Sequence, residues 1–284
     1  INVLKEQMRQ KNKHIRKFIL DVLLGIKTPD SFRLVIDAAS DRDENVKQTA
    51  IEIIGINKIR EALPVVLAEL ENSQSLWILN AAIGALGELR FGGANTEIEE
   101  KIESLNMGKM EKTILVNSYL RLLENTGTPE DLGTVFFKYQ KHYDLETDAL
   151  VDCINGIMGR FAPSAAGEPI KGKIREVLSG NISYDNPDRA LATIRTMEML
   201  DIDAFVPRLC DVVEMHWTDE AFMDELEEVL SGSCAHLLAR SVETLLASER
   251  TKPAVFAMRL IRRNSLCGFK DILKEMLHSE DEQV

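Results

Sequence analysis

Apolar positions along this chain recur at intervals of three and four, in short runs that come in pairs. In residues 46–70, VKQTAIEIIGINKIREALPVVLAEL, the first run is Val46, Ala50, Ile53 and Ile54. Asn57 and Lys58 break it, and Leu63, Val66, Leu67 and Leu70 form the second at i, i+3, i+4 and i+7. That spacing puts each run on one face of an α-helix, so the stretch predicts two helices joined by a tight turn. Leu79, Ala82, Ile83 and Leu86 begin the next unit, with Gly87 lying 32 residues after Gly55, and Ile98, Ile102 and Leu105 supply its second stripe. Farther on, Ile194, Met197, Phe205 and Leu209 match Met258, Ile261, Phe269 and Leu273 at a shift of 64, and Leu226, Val229 and Leu237 fall half-way between.

The pattern parses into about eight helix pairs, centred in 1–40, 43–72, 74–106, 109–142, 145–180, 186–216, 218–247 and 251–278. No stretch alternates with the period of a strand. Helix starts are marked at Thr28-Pro29-Asp30, Thr128-Pro129-Glu130-Asp131 and Asn186-Pro187-Asp188. In each, a side-chain oxygen can take a free N–H, proline loses nothing at the first helical position, and a carboxylate meets the positive end of the helix dipole. The least regular connection is GRFAPSAAGEPIKGK, where Pro163, Gly167 and Pro169 predict a longer loop. One helix pair cannot bury its apolar stripes alone, but stacked pairs share a continuous core. The expected fold is therefore all-α, an α-solenoid or α-α superhelix forming a single domain over 1–284. Its parts are a basic capping pair in 1–40, repeats in 43–278 and an acidic tail in 279–284.

At these residues the chain resembles HEAT repeats. Asp43-Glu44-Asn45-Val46, Ala50, Gly55 and Ala62-Leu63-Pro64-Val65-Val66 fit one such unit, Leu86-Gly87 fits the next, and Phe205-Val206-Pro207 is similar to the proline-bearing second helix. The match is good over 43–105 and degenerate elsewhere. It looks like the bacterial short-repeat branch that includes phycobilin-lyase-like proteins. The resemblance implies a helical scaffold and a habit of binding proteins, with no active site carried over. Some HEAT-like hydroxylases hold iron with His-Glu pairs. None of His14, His142, His216, His236 and His278 precedes a glutamate, which counts against that activity. HEAT-like DNA glycosylases use a basic groove with aromatic residues, whereas this chain has a formal net charge of −12 and only Trp77 and Trp217 as tryptophans. Nucleic acid is therefore not an expected partner.

Other chemistry is sparse. There is no H-E-x-x-H, no G-x-x-x-x-G-K-[ST] and no G-x-G-x-x-G. Asp41-x-Asp43-x-Asn45 with Glu52 echoes a calcium loop, but Val46 stands where that loop needs glycine and belongs to the apolar stripe, so Asp43 reads as a helix cap. Cys153, Cys210, Cys234 and Cys267 read as reduced core thiols. Cys234 and His236, two apart, would point about 200° from each other on a helix. Neither a metal nor a cofactor is expected, and no catalytic residue. No apolar run approaches the roughly 18 residues of a membrane span, and the first residues lack the apolar core of a signal peptide. These features favour a cytoplasmic protein.

Charge distribution says more. Residues 211–228 hold eight acids and no Lys or Arg, and residues 1–33 hold eight Lys/Arg against three acids. The uncompensated acids predict a self-repelling surface that a basic patch on a partner would relieve. Ile1, Leu4, Met8, Lys11, Ile15, Phe18 and Val22 form a heptad seam, which predicts a helix able to join an upstream domain. Lys5, Arg9, Lys13, Arg16 and Lys17 would give that helix a polar outer face. The expected function is a non-catalytic protein-binding scaffold or adaptor, with bacterial signalling as its setting; the alternative is an enzyme on a HEAT scaffold, such as a chromophore lyase. The residues expected to meet the partner are Glu69, Glu97, Glu100, Lys101, Lys138, Arg208, Asp211, Glu214, Asp224, Glu225, Glu227, Glu228, Arg240 and Lys274.

Overall fold

A computed structural model describes residues 1–181, 185–269 and 274. Leu273 of the repeat pattern and the acidic tail 279–284 lie outside them. The described residues contain helices and turns and no strand. The chain divides into two compact units, Ile1–Ile157 and Met158–Val284.

The first unit holds α1 (Asn2–Gln7), α2 (Lys13–Gly25), α3 (Pro29–Ala38), α4 (Glu44–Ile56), α5 (Leu63–Asn72), α6 (Leu76–Glu88), α7 (Asn95–Ser104), α8 (Lys109–Thr126), α9 (Pro129–Thr134), α10 (Gln140–His142) and most of α11 (Thr147–Met158). A π-helical turn, Val135–Tyr139, joins α9 to α10. The first helices of successive pairs stack on one another, α2 on α4, α4 on α6 and α6 on α8, while α5 meets α7. This is the layered packing expected of a solenoid. α6 lies between α4, α5 and α8, which is why its apolar residues go nearly all round: Ile78, Leu79, Ala81, Ala82, Ile83, Ala85, Leu86 and Gly87 are all buried.

Glycine sets the closeness of this layer. A Cβ on Gly55 would lie 2.9 Å from Ala85 Cα, and one on Gly87 would lie 3.3 Å from Leu122 Cα. The 32-residue glycine spacing is thus the mark of a repeated backbone approach.

The second unit holds α12 (Glu168–Gly180), α13 (Pro187–Met199), a 3₁₀ turn Asp203–Arg208 leading into α14 (Leu209–His216), α15 (Glu220–Gly232), α16 (Ala235–Leu246) and α17 (Thr251–Asn264). α13 packs on α15 and α15 on α17, and α14 packs on α16. The predicted ranges 43–72, 74–106, 145–180, 186–216 and 218–247 each contain two α-helices, whereas 1–40 and 109–142 each contain three.

The turn inside four of the pairs has one geometry. Lys58, Arg90, Asp201 and Ser265 adopt left-handed backbone with φ of 52°, 53°, 57° and 52°. The next residue donates its N–H to the carbonyl five back: Ile59 to Ile54, Phe91 to Leu86, Ile202 to Met197 and Leu266 to Ile261. This is the Schellman closure of a helix C-terminus, with buried Ile59 and Ile202 fastening the turn to the core.

The predicted caps hold at Thr28, whose hydroxyl accepts from Ser31 N, and at Asn186, which accepts from Arg189 N, while at Thr128 the bond runs the other way, the Asp131 carboxylate accepting from Thr128 N–H at 2.7 Å and from its hydroxyl at 3.1 Å. Asp43 caps α4 through Asn45 N and Val46 N, as its place before the apolar stripe requires.

Four expectations need correction. The heptad seam is broken: α1 ends at Gln7 and α2 begins at Lys13 under Asn12, so Met8 and Lys11 lie in a turn. Arg16 belongs to no polar outer face. It is 3% exposed, bonded to both Asp41 carboxylate oxygens at 2.7 and 2.8 Å and to the carbonyls of Gln10 and Lys11. A buried guanidinium needs such a set of acceptors. The long loop is shorter than predicted, because Gly167 is the N-cap and Pro169 lies in the first turn of α12. Finally, Cys153 and Cys210 are core thiols, but Cys234 and Cys267 are exposed.

Candidate functional site

The first unit carries a cleft of about 700 Å³ between α5 and α7, closed at one end by the loop Phe91–Ala94. Its apolar lining is Leu67, Leu70, Phe91 and Ala94, and its polar lining is Glu71, Glu97, Glu100, Lys101 and Ser104. The helical phase of α5 makes this possible. Val66 and Leu70 turn fully inward, while Leu67, expected in the core stripe, is only half-buried and reaches the cleft. Lys101 Nζ donates to the Glu71 carbonyl at 2.6 Å, bridging α7 to the end of α5. Three acids against one lysine leave the rim negative. A second hollow, about 530 Å³, lies beside it among Glu44, Lys47, Glu69, Asn72, Ser73, Gln74 and Ser75. Here Lys47 Nζ donates to both Glu69 oxygens at 2.8 Å, with both side chains largely buried.

Behind α7 sits a buried polar cluster. Tyr119 of α8 donates its hydroxyl to Glu99 Oε1 at 3.1 Å and meets Tyr139 edge-on at 6.3 Å between centroids. Burial pushes the Glu99 carboxyl up, more than the Tyr119 hydrogen bond lowers it. Burial, then the charge of Glu99, pushes both tyrosine hydroxyls well above their ordinary value. Tyr119 is the hydrogen-bond donor of the cluster, whereas the buried Tyr139 hydroxyl has no hydrogen-bond partner among the described residues. Lys138, on the π-helical turn, pairs with Glu103 and lies 5.7 Å over the Tyr139 ring.

Sequence-predicted positions thus collect at two places in this unit. Glu97, Glu100 and Lys101 share the cleft, and Glu69 faces the neighbouring hollow. In the second unit the acidic segment is not uncompensated, because a helix distant in sequence supplies its cations. Asp211 pairs with Arg250 at 3.0 Å and Arg208 at 3.9 Å, Glu214 with Lys252 at 3.3 Å, and Asp224 with Arg259 at 2.7 Å. Glu227, itself buried, receives Arg259 at 3.1 Å and Arg263 at 3.5 Å. Reading the segment alone could not show this, since α17 and its N-cap Arg250 lie 22 or more residues downstream of the last acid. Glu225 and Glu228 are exposed, Arg240 pairs with Asp203, and Lys274 is exposed.

The assumption that separated Cys234 from His236 also fails. Cys234 is the N-cap of α16, with extended backbone at φ −60° and ψ 149°, so the helical angle between the two does not apply. Its Sγ lies 3.3 Å from His236 Nδ1 and 3.5 Å from Asp201 Oδ1, and His236 Nε2 lies 3.1 Å from the same Asp201 oxygen. The missed signal was the separation of Asp201 and Cys234, 33 residues, because residues one repeat apart stand side by side in such a stack.

The fold and its clefts define a helix-pair repeat protein. The family model described as HEAT repeats matches residues 1–87, the stretch from α1 into α6. No curated protein matches the chain. Among solved structures it is similar to human deoxyhypusine hydroxylase in complex with glycerol, at 13% identity and a TM-score of 0.37, covering 99% of this chain and 90% of that one. Among the described residues no helix is long and apolar enough to cross a membrane.

Proposed function

We propose that the protein is a binding scaffold whose first unit takes a basic, partly apolar segment of a protein partner in the cleft between α5 and α7. The observation that carries this is the cleft itself. It sets an apolar floor of Leu67, Leu70 and Phe91 under an acidic rim of Glu71, Glu97 and Glu100. An apolar side chain of the partner would fill the floor while its Lys or Arg residues meet the rim, an arrangement that gives both affinity and steering. The acidic segment of the second unit is the weaker docking surface, because four of its acids already hold α17; Asp219, Glu220, Glu225 and Glu228 are exposed acids there that do not pair with α17. The exposed stripe Ile15, Phe18 and Val22 on α2 suits a second contact, such as an upstream domain.

A panel of fluorescent peptides with several Lys or Arg around one large apolar residue tests the cleft. Binding should weaken with rising salt, and on the order of tenfold or more, about 1.4 kcal/mol, in Glu97→Lys/Glu100→Lys and in Leu67→Asp. Affinity indifferent to all three changes removes the reading. Capture of a chromophore in the cleft, with no peptide binding, would replace it with the enzyme alternative.

A further inference from the structure

We propose that Asp201, Cys234 and His236 form a binding site for a single divalent, zinc-like metal ion. This stands independently of the scaffold reading.

The three donors come from helix ends of adjacent repeats. Asp201 lies in the turn after α13, Cys234 caps α16 and His236 stands in the first turn of α16. All three ligand atoms lie within 4.8 Å of one another. Bond lengths of about 2.0–2.3 Å to N, O and S around a tetrahedral zinc imply donor–donor separations of roughly 3.4–3.6 Å. The observed Sγ to Oδ1 distance is 3.5 Å and the Sγ to Nδ1 distance 3.3 Å. The sulfur already stands at metal-sharing distance from both partners, and one imidazole nitrogen would take the metal, with all three ligand atoms within 4.8 Å of one another.

The carriers are held in place before any ion arrives. Asp201 has its left-handed backbone, φ 57°, fixed by its own N–H to the Glu198 carbonyl at 3.0 Å and by Ile202 N to the Met197 carbonyl at 2.8 Å. Cys234 is fixed by Leu238 N donating to its carbonyl at 3.1 Å. The other left-handed turns of this kind carry Lys58, Arg90 and Ser265, so among them only this one presents a carboxylate. A site gains affinity when its ligands need no reordering.

Without a metal the three exposed side chains are held to one another by hydrogen bonds. If His236 Nε2–H donates to Asp201, Nδ1 is an acceptor, and the single thiol proton of Cys234 faces both Nδ1 and Oδ1. A metal ion in place of that proton meets all three donors at once. The proton leaves to solvent and the thiolate becomes a ligand. The mixed sulfur, nitrogen and oxygen set suits zinc and its analogues better than calcium or magnesium, which prefer oxygen. Side-chain exposures of 59% and 63% for His236 and Asp201 leave the fourth position to water. This is the three-ligand, open form of a zinc site.

The test is titration of the whole chain, stripped with chelator and kept reduced, with Co(II) and then Zn(II). One equivalent of Co(II) should produce a thiolate-to-cobalt charge-transfer band in the near ultraviolet, and Zn(II) should displace it. Cys234→Ser should abolish the band. His236→Ala and Asp201→Asn should each weaken Zn(II) binding about tenfold or more, in line with the loss of a ligand. Cys267→Ser, which removes the other exposed thiol, should change neither. Absence of the band in the parent protein overturns the proposal, and so does a band that survives Cys234→Ser or disappears with Cys267→Ser. Unchanged helical circular dichroism in each variant establishes that the loss is local.

Discussion

The two units repeat one plan but hold it together differently. At the second helical position before the cap, the first unit has Gly55 and Gly87, whereas the second has Glu198 and Arg262 at the corresponding places before Asp201 and Ser265. Without side chains there, α4, α6 and α8 come almost into backbone contact, and their shared surface is more extensive than that of α13 and α15. The second unit lacks this approach and is laced instead by α17, whose Arg259 and Arg263, with Lys252 and the N-cap Arg250, reach acids on α14 and α15. Electrostatics follows the same division. The first unit encloses Arg16–Asp41, with side chains 4% and 11% exposed, while the α17 pairs run along solvent, all but Glu227 being 34% exposed or more. One repeat pattern therefore tolerates either close apolar packing or a ladder of charges, provided each face is satisfied.

Breaking the enclosed pair should have the largest effect. Arg16→Ala strands a buried Asp41 and removes the donor to the Gln10 and Lys11 carbonyls, at a cost of about 3 kcal/mol in denaturant unfolding. The same pair gives the first unit an acid limit. Burial acts to raise the Asp41 carboxyl, but the Arg16 hydrogen bond, the Asp43 N–H and the Arg16 charge outweigh it, so its folded pKa is lowered. A lowered carboxylate stabilises above its unfolded value, about 4, and that contribution disappears as pH falls through the folded value. Hydrogen exchange between pH 5 and 2 should show α2 losing protection, and Asp41→Asn should remove this pH dependence.

Gly55→Val comes next. Its Cβ would lie 2.9 Å from Ala85 Cα and 3.3 Å from Ala85 Cβ, backbone that cannot step aside without moving α6. About 2–3 kcal/mol of destabilisation is expected. Gly84→Ala, with nothing within 4 Å of the new methyl, should instead stabilise by about 1 kcal/mol. Equal effects at the two glycines would mean that the close approach of α4 to α6 is not what fixes Gly55.

In the second unit Glu227→Ala should cost about 1–2 kcal/mol, less than the enclosed pair because Arg259 and Arg263 remain half in water. Raising salt should reduce that cost while leaving the Gly55→Val cost unchanged, a direct contrast between the two kinds of adhesion.

The smallest effect should be common to both units. Lys58→Gly and Ser265→Gly relieve a left-handed backbone that costs a side chain about 1 kcal/mol, and should stabilise by less than that once the added freedom of the unfolded chain is subtracted. A gain in one unit and a loss in the other would show that the turns are alike in backbone only.

The sequence determined the elements. Stripes at three and four, the 32-residue recurrence, and the caps at Thr28, Thr128 and Asn186 are local, because helix phase and helix start depend on residues within a turn or two of each other. It also marked Glu97, Glu100 and Lys101, since the polar side of a second helix follows from its apolar side. Tertiary structure decided whatever joins residues a repeat apart. Leu67 entered the cleft because the neighbouring α7 and the Phe91 loop leave its side of α5 half open. The acids of 211–228 found their cations on α17, and Asp201 met Cys234 and His236 across 33 and 35 residues. Such meetings depend on which helix stacks on which and on how each turn aims its side chains, and neither is written in the period of the pattern.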